Sequence, residues 1–143
     1  MLKTVVAVLA AVIAVPQAVM AQRHPGYLHA LQDLRFARAL LERGEWHRVA
    51  PDRERAVHEI DRAIEELRRA AMDDGRNPDA HPPIEERWEP RDRLHRAEEA
   101  LGRAREAISR EEDNPNAREW RNRAYRHIDE ARRALRHAMD RWR

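Results

Sequence analysis

Histidine and carboxylate side chains are the groups in this sequence that can do chemistry, because it contains no cysteine and a single serine, Ser109. Imidazole nitrogens with carboxylate oxygens suit zinc or nickel, and imidazole with methionine sulfur suits copper. If successive helices alternate in direction, one end of the fold gathers such groups. The pattern then predicts a candidate site for Cu, Zn or Ni formed by His29, His81, His95, Asp73 and Asp74.

The positions of these histidines around their helices favour a second interpretation. At about 100° per residue, His29 and His95 point away from the apolar stripes of their own helices. Outward side chains on different helices converge poorly, so solvated surface histidine remains an alternative. A carboxylate one turn from an imidazole, as in His29 with Asp33, can bind a metal or form a surface hydrogen bond.

His127 differs from the other histidines because it lies at the edge of an apolar stripe, one heptad after Trp120. It is a candidate to hold a noncovalent haem or another small ligand inside the fold. The alternative is a boundary histidine that is hydrogen-bonded to a neighbouring helix. Covalent c-type haem attachment is excluded, because that chemistry requires cysteine.

Sequence patterns of catalysis and of nucleic-acid binding are missing. The sequence contains no nucleophile elbow, phosphate-binding loop or HExxH motif. Its bases alternate with acids at helical spacing, as in Glu65/Arg69, Glu99/Arg103 and Asp129/Arg133, whereas a nucleic-acid binder shows an unbalanced basic face. The formal net charge is only +2. We therefore expect neither an enzyme nor a nucleic-acid-binding protein.

The elements that position these residues are amphipathic helices. From Trp120 to Trp142, apolar residues recur every three or four positions with charged residues between them. Three earlier segments have the same periodicity, and prolines stand near the start of each segment. The sequence predicts an all-α antiparallel four-helix bundle with helices at about 25–43, 52–73, 90–110 and 115–142, and a long connection over 74–89.

The two halves of the sequence resemble each other. Leu28-His29 corresponds to Leu94-His95, and Ile60-Asp61 corresponds to Ile128-Asp129. This predicts two repeated helical hairpins. Up-down-up-down order would place Trp46 and Trp120 at one end, and Trp88 and Trp142 at the other. The 74–89 connection is long enough to reverse the second hairpin instead. We expect it to fold back over Phe36 and Leu40.

The N-terminal segment has the pattern of an export signal. Lys3 precedes the apolar run from Val5 to Val15, and Val19-Met20-Ala21 fits a small-residue cleavage site. We expect a signal peptide over 1–21, followed by a single domain over 22–143. Cleavage would leave 143 − 21 = 122 residues with no membrane segment, in a periplasmic or secreted protein.

Several motifs resemble those of known exported proteins. His24-Pro25-Gly26-Tyr27-Leu28-His29, Asp73-Asp74-Gly75 and Glu111-Glu112-Asp113-Asn114-Pro115 resemble an uncharacterised family of small exported bacterial helical-bundle proteins, which implies no activity. A looser similarity, in size, export signal and helical repeats, is to the periplasmic small metal-binding protein family. That similarity implies binding of copper and other divalent metals.

Two hypotheses about function follow. The first is an exported, non-catalytic protein with a structural role or an unknown protein partner. The second is periplasmic metal binding or buffering through histidines and carboxylates at one end of the bundle.

Overall fold

The computed structural model describes residues 25–71, 81–85, 87–111, 115 and 117–143. These residues form four helices and no strand: α1 (Pro25–Glu42), α2 (Ala50–Ala70), α3 (Pro90–Ser109) and α4 (Arg118–Arg141). The predicted all-α class is confirmed. The predicted signal peptide over 1–21 lies outside the described residues. In the part of the chain that is described, no helix combines the length and apolar character needed to cross a membrane.

Proline and glycine set several helix ends. Pro25 and Pro90 are the first residues of α1 and α3, and Pro51 is the second residue of α2, where a missing backbone N–H breaks no helical hydrogen bond. Gly44, with φ of 113°, adopts the left-handed conformation that ends α1. Pro115 was wrongly predicted to begin the last helix. That helix begins at Arg118, and its first turn includes the Arg121 N–H bond to the Ala117 carbonyl.

The apolar stripes of all four helices meet in one hydrophobic core. Leu34, Leu67, Leu101 and Ile128 each contribute a side chain with no exposed surface. In α4 the predicted stripe is buried from Ala124 to Ala138, while Trp120 and Trp142 are half-buried near its two ends. Each fully buried leucine or isoleucine stabilises the fold by about 1.5–3 kcal/mol relative to an exposed one.

Contacts between helices give the direction of each one. The start of α3 meets the end of α1, where the Arg93 guanidinium donates to the Arg43 carbonyl at 3.1 Å, and Arg103 lies 3.1 Å from Asp33 further along. These two helices are therefore antiparallel. At the opposite end α1 approaches α3 so closely that a β-carbon on Gly26 would overlap the Ala107 carbonyl oxygen.

The other neighbouring pairs are antiparallel as well. Two contacts in each pair run in opposite chain order: Asp52–His137 and Glu66–Arg123 (α2–α4), Leu41–Arg53 and Arg38–Asp61 (α1–α2), and Arg105–Asp129 and Glu98–Arg132 (α3–α4). The helices therefore run up, down, down, up. The up-down-up-down order assumed in grouping the histidines is wrong, because α2 ends and α3 begins at opposite ends of the fold.

The direction of the second hairpin also decides which tryptophans lie at the same end of the fold. Trp46 stacks edge-on against Trp142 with ring centroids 6.4 Å apart, so the predicted grouping of Trp46 with Trp120 is wrong. Trp88 packs edge-on against Phe36, also at 6.4 Å. Trp88, in the 74–89 connection, therefore lies over α1 at Phe36, one of the two residues that the connection was predicted to cover.

Helices α2 and α4 share one burial pattern. Each buried position of α2 has a buried counterpart in α4, and the two are always separated by the same number of residues. We call this separation, which is that of Ile60 from Ile128, the repeat offset. The shared pairs are Ala56/Ala124, Ile60/Ile128, Ala63/Ala131, Glu66/Ala134, Leu67/Leu135 and Ala70/Ala138. Five of the six are identical residues. In α1 and α3 the buried residues instead align Tyr27 with Leu94. The sequence match of Leu28 with Leu94 is therefore one position out of register, and Leu28 is only half-buried.

Spin labels can test the reversed hairpin, since the chain has no native cysteine. Ser109 and His95 lie in the same helix, about 21 Å apart along its axis. A label pair at His29→Cys and Ser109→Cys should show a short distance, because both positions are at one end. A pair at His29→Cys and His95→Cys should show a much longer one. The opposite ranking would support up-down-up-down order. Unchanged thermal melts would show that the labels leave the fold intact.

Candidate functional site

Two of the predicted metal ligands, His29 and His95, do not come together. His29 is near the start of α1 and His95 is near the start of α3, which places them at opposite ends of the fold. His81 is exposed, and its Nδ1–H donates to the Pro82 carbonyl at 2.7 Å. Asp73 and Asp74 lie outside the described residues. Among the residues that are described, no three histidine, aspartate or glutamate side chains are grouped to hold a metal ion.

A row of polar side-chain pairs joins α2 to α4 along the edge of their contact, with exposed members at one end and a buried carboxylate at the other. We call it the α2–α4 ladder. Its four rungs join Asp52 to His137 (3.0 Å), Arg55 to Glu130 (3.4 Å), Glu59 to His127 (2.6 Å) and Glu66 to Arg123 (3.1 Å). Because α2 and α4 are antiparallel, residue numbers increase along α2 from rung to rung while those of their partners decrease along α4.

His127, the predicted ligand-holding residue, is in this ladder. Its Nδ1 lies 2.6 Å from a carboxylate oxygen of Glu59, and both side chains are partly buried. A carboxylate only accepts hydrogen bonds, so Nδ1 carries the proton. The hydrogen bond to a neighbouring helix agrees with the boundary interpretation, and a carboxylate partner of this kind also orients an imidazole for ligand binding.

Glu66 is the buried acidic rung. The residue is only 5% exposed, and its Oε2 lies 3.1 Å from Arg123 Nε. Arg69, one turn further along α2, approaches the same carboxylate at 3.7 Å. A buried carboxylate requires such partners, because its charge loses the solvation of bulk water.

On the α3–α4 side, one carboxylate serves two guanidinium groups. Glu98 accepts hydrogen bonds from Arg132 at 2.9 Å and from Arg136 at 3.1 Å. Burial alone would raise the pKa of Glu98, but these hydrogen bonds and charges outweigh it and lower that pKa below its ordinary value of 4.5. The ionised carboxylate therefore stabilises the folded state.

An open groove of about 580 Å³ lies at one end of the ladder. Its lining combines charged and polar residues with one small, buried residue: Asp52, Arg55, Glu130, Arg133, His137 and Ala134. Of the predicted site residues, none lines this groove. Sequence analysis missed it because these residues belong to two helices whose pairing depends on the direction of the second hairpin.

Comparisons with protein-family models, with curated proteins and with solved structures found no match to this chain. The resemblances drawn from short motifs therefore remain predictions, and function is inferred from the geometry of the described residues.

We predict that Glu98→Gln lowers the free energy of unfolding by about 1–2 kcal/mol at neutral pH, because two charge-assisted hydrogen bonds weaken. The pKa of Glu98 is lowered in the folded state, so its contribution is fully present above the unfolded value and is lost as pH falls through the folded one. Denaturant unfolding of both proteins should therefore converge in acid.

Glu99→Gln is the matched control, because it removes the same charge from an exposed neighbour on α3. That variant should stay within about 0.5 kcal/mol of the parent at every pH. A Glu98→Gln difference that persisted unchanged into acid would contradict the role assigned to the ionised carboxylate.

Proposed function

We propose that the protein is an exported, non-catalytic helical scaffold that binds a protein partner through the surface formed by α2 and α4. The observation that carries this proposal is the α2–α4 ladder, which joins polar side chains of two helices at four levels. Side chains already held by a neighbour lose less conformational entropy on binding than free ones do. The ladder is therefore a preorganised polar surface.

Stability alone explains the two exposed rungs of the ladder, Asp52–His137 and Arg55–Glu130, poorly. Exposed ion pairs each contribute about 0–1 kcal/mol, and the side chain of Arg55, in the second rung, is 65% exposed. The apolar core already holds α2 against α4 through paired alanines and isoleucines. A long row of charged side chains contributes more to specific binding of a complementary partner than to the free energy of folding.

Two further features belong to the proposal. The N-terminal pattern, with Lys3, the apolar run and Ala21, supports export and cleavage before Gln22. The repeat offset, which relates every buried position of α2 to one of α4, supports an origin of the two hairpins as repeats that pack as an antiparallel four-helix bundle.

Photocrosslinking in cells that export the protein tests the proposal. A photoreactive amino acid at the exposed positions His58 of α2 or Arg126 of α4 should give one discrete protein adduct. The same residue at Gln32, exposed on α1, is the matched control and should give little. The uncrosslinked band should have the mass of a chain beginning at Gln22, and deletion of residues 2–21 should abolish both export and adduct. Equal labelling from all three positions would count against a partner surface on α2 and α4.

Metal binding is the alternative, and calorimetry separates the two. Titration of the purified protein with Cu(II), Ni(II) or Zn(II) should give no saturable heat at micromolar concentration, because His29 and His95 are at opposite ends of the fold. Micromolar binding that is lost when His29, His81 and His95 are changed together would favour the metal alternative. A change in visible absorption on adding haem, lost in His127→Ala, would instead assign a ligand to His127.

A further inference from the structure

The clearest departure from the shared pattern of α2 and α4 is one buried position. At the repeat offset, Glu66 of α2 corresponds to Ala134 of α4. The other five buried positions carry the same residue in both helices. A carboxylate that is present on one helix is therefore missing at the equivalent point on the other.

The basic groups around the missing carboxylate are still there. Arg123, which lies 3.1 Å from Glu66, corresponds to Arg55 at the repeat offset, and Arg69 corresponds to His137. Both Arg55 and His137 line the groove above Ala134. The groove therefore lies at the position on α4 that corresponds to the position of the Glu66 side chain on α2.

The charges at the groove favour an anion. Glu130 is shared between Arg55, at 3.4 Å, and Arg133. Asp52 faces His137 at 3.0 Å and Arg141 at 3.7 Å. Within the lining, the guanidinium groups of Arg55 and Arg133 balance the carboxylates of Glu130 and Asp52, and Arg141, which reaches Asp52 from outside the lining, supplies the one positive charge in excess. One ligand carboxylate would balance that excess, and Arg binds carboxylates through paired N–H donors.

We infer that the groove over Ala134 binds the carboxylate of an acidic side chain, aspartate or glutamate, of the protein partner. This inference rests on the proposed partner-binding role and names the chemistry that the partner brings. The carboxylate occupies the place that Glu66 fills at the equivalent position. The guanidinium group of Arg55, the counterpart of Arg123, holds it, and Arg133 lines the same groove. Ala134, the one small residue in the lining, leaves more room for an incoming side chain than a glutamate at that position would.

Fluorescence anisotropy with a labelled acidic peptide tests this site on the purified protein. The probe is an octapeptide of alternating glutamate and glycine, and the same peptide with glutamine is its uncharged counterpart. The glutamate peptide should bind at least about tenfold more tightly, the ratio that corresponds to about 1.4 kcal/mol. Arg55→Gln should weaken its binding by about tenfold. Equal binding of both peptides would overturn the inference.

Substitutions at Ala134 distinguish occupation of the groove from bulk charge. Ala134→Glu should abolish peptide binding because its own carboxylate takes the place of the ligand, and Ala134→Gln should abolish it by filling the space. Asn122→Glu, exposed on the same helix, adds the same charge away from the groove and should retain binding within about twofold. Unchanged affinity in Ala134→Glu, or an equal loss in Asn122→Glu, would overturn the inference.

These outcomes are separate from those of the crosslinking experiment. If exported protein forms no adduct but Ala134→Glu blocks the peptide, the partner role fails while the carboxylate site stands. If a discrete adduct forms and the peptide is insensitive to Ala134→Glu, the partner role stands and the groove is not its site.

Discussion

Burial of four apolar stripes against one another is the constraint on which the rest of the structure depends. The chain has no cysteine, so no disulfide supports it, and the described helices are held by leucine, isoleucine and alanine packing. Alanines lie between the larger residues of α2 and α4, at Ala56, Ala63, Ala124 and Ala131, and their small side chains let these two helices approach closely. Close approach in turn brings the polar side chains at the edge of the contact within hydrogen-bonding distance.

The up-down-down-up order makes every neighbouring pair of helices antiparallel, so the positive end of each macrodipole lies beside a negative end. It also decides which charges meet. Arg38–Asp61 joins α1 to α2 and Arg105–Asp129 joins α3 to α4, at positions that correspond between the two hairpins. This one interhelical ion pair therefore recurs in both halves, whereas the pairs of Glu98 with Arg132 and Arg136 occur only between α3 and α4 among the described residues. Surface pairs contribute little individually to stability.

Periodicity in the sequence was enough to predict four helices and their buried stripes, and the apolar Phe36 outside the stripe of α1 indicated that the 74–89 connection returns over that helix. Periodicity could not predict the direction of the second hairpin, because a long connection between α2 and α3 permits either order. The ion pairs show the same limit. Glu65–Arg69 forms within one helix as spacing predicts, whereas Arg103 pairs with Asp33 of α1 in place of Glu99. Helical spacing identifies local partners, but tertiary contacts compete for the same guanidinium group.

The candidate site was hidden for a related reason. The match of Ile60-Asp61 with Ile128-Asp129 already gives the repeat offset in the sequence, but the burial of Glu66 and the groove at Ala134 follow only from the packing of α2 against α4. The histidines attracted attention as metal ligands by their type. Their partners in the fold, Asp52 for His137 and Glu59 for His127, come from another helix and could not be read from spacing along one chain.

The rung formed by Glu59 and His127 shows how two similar hairpins prefer each other. These residues are separated by the repeat offset, so they occupy equivalent places in α2 and α4 and yet contact each other. Where two repeats meet about a local twofold axis, an equivalent position faces itself. Two glutamates there would repel, and two histidines would repel when protonated, whereas glutamate opposite histidine forms a hydrogen bond. One acid-to-imidazole difference at the centre therefore favours packing of the first hairpin against the second over packing of either against its own copy.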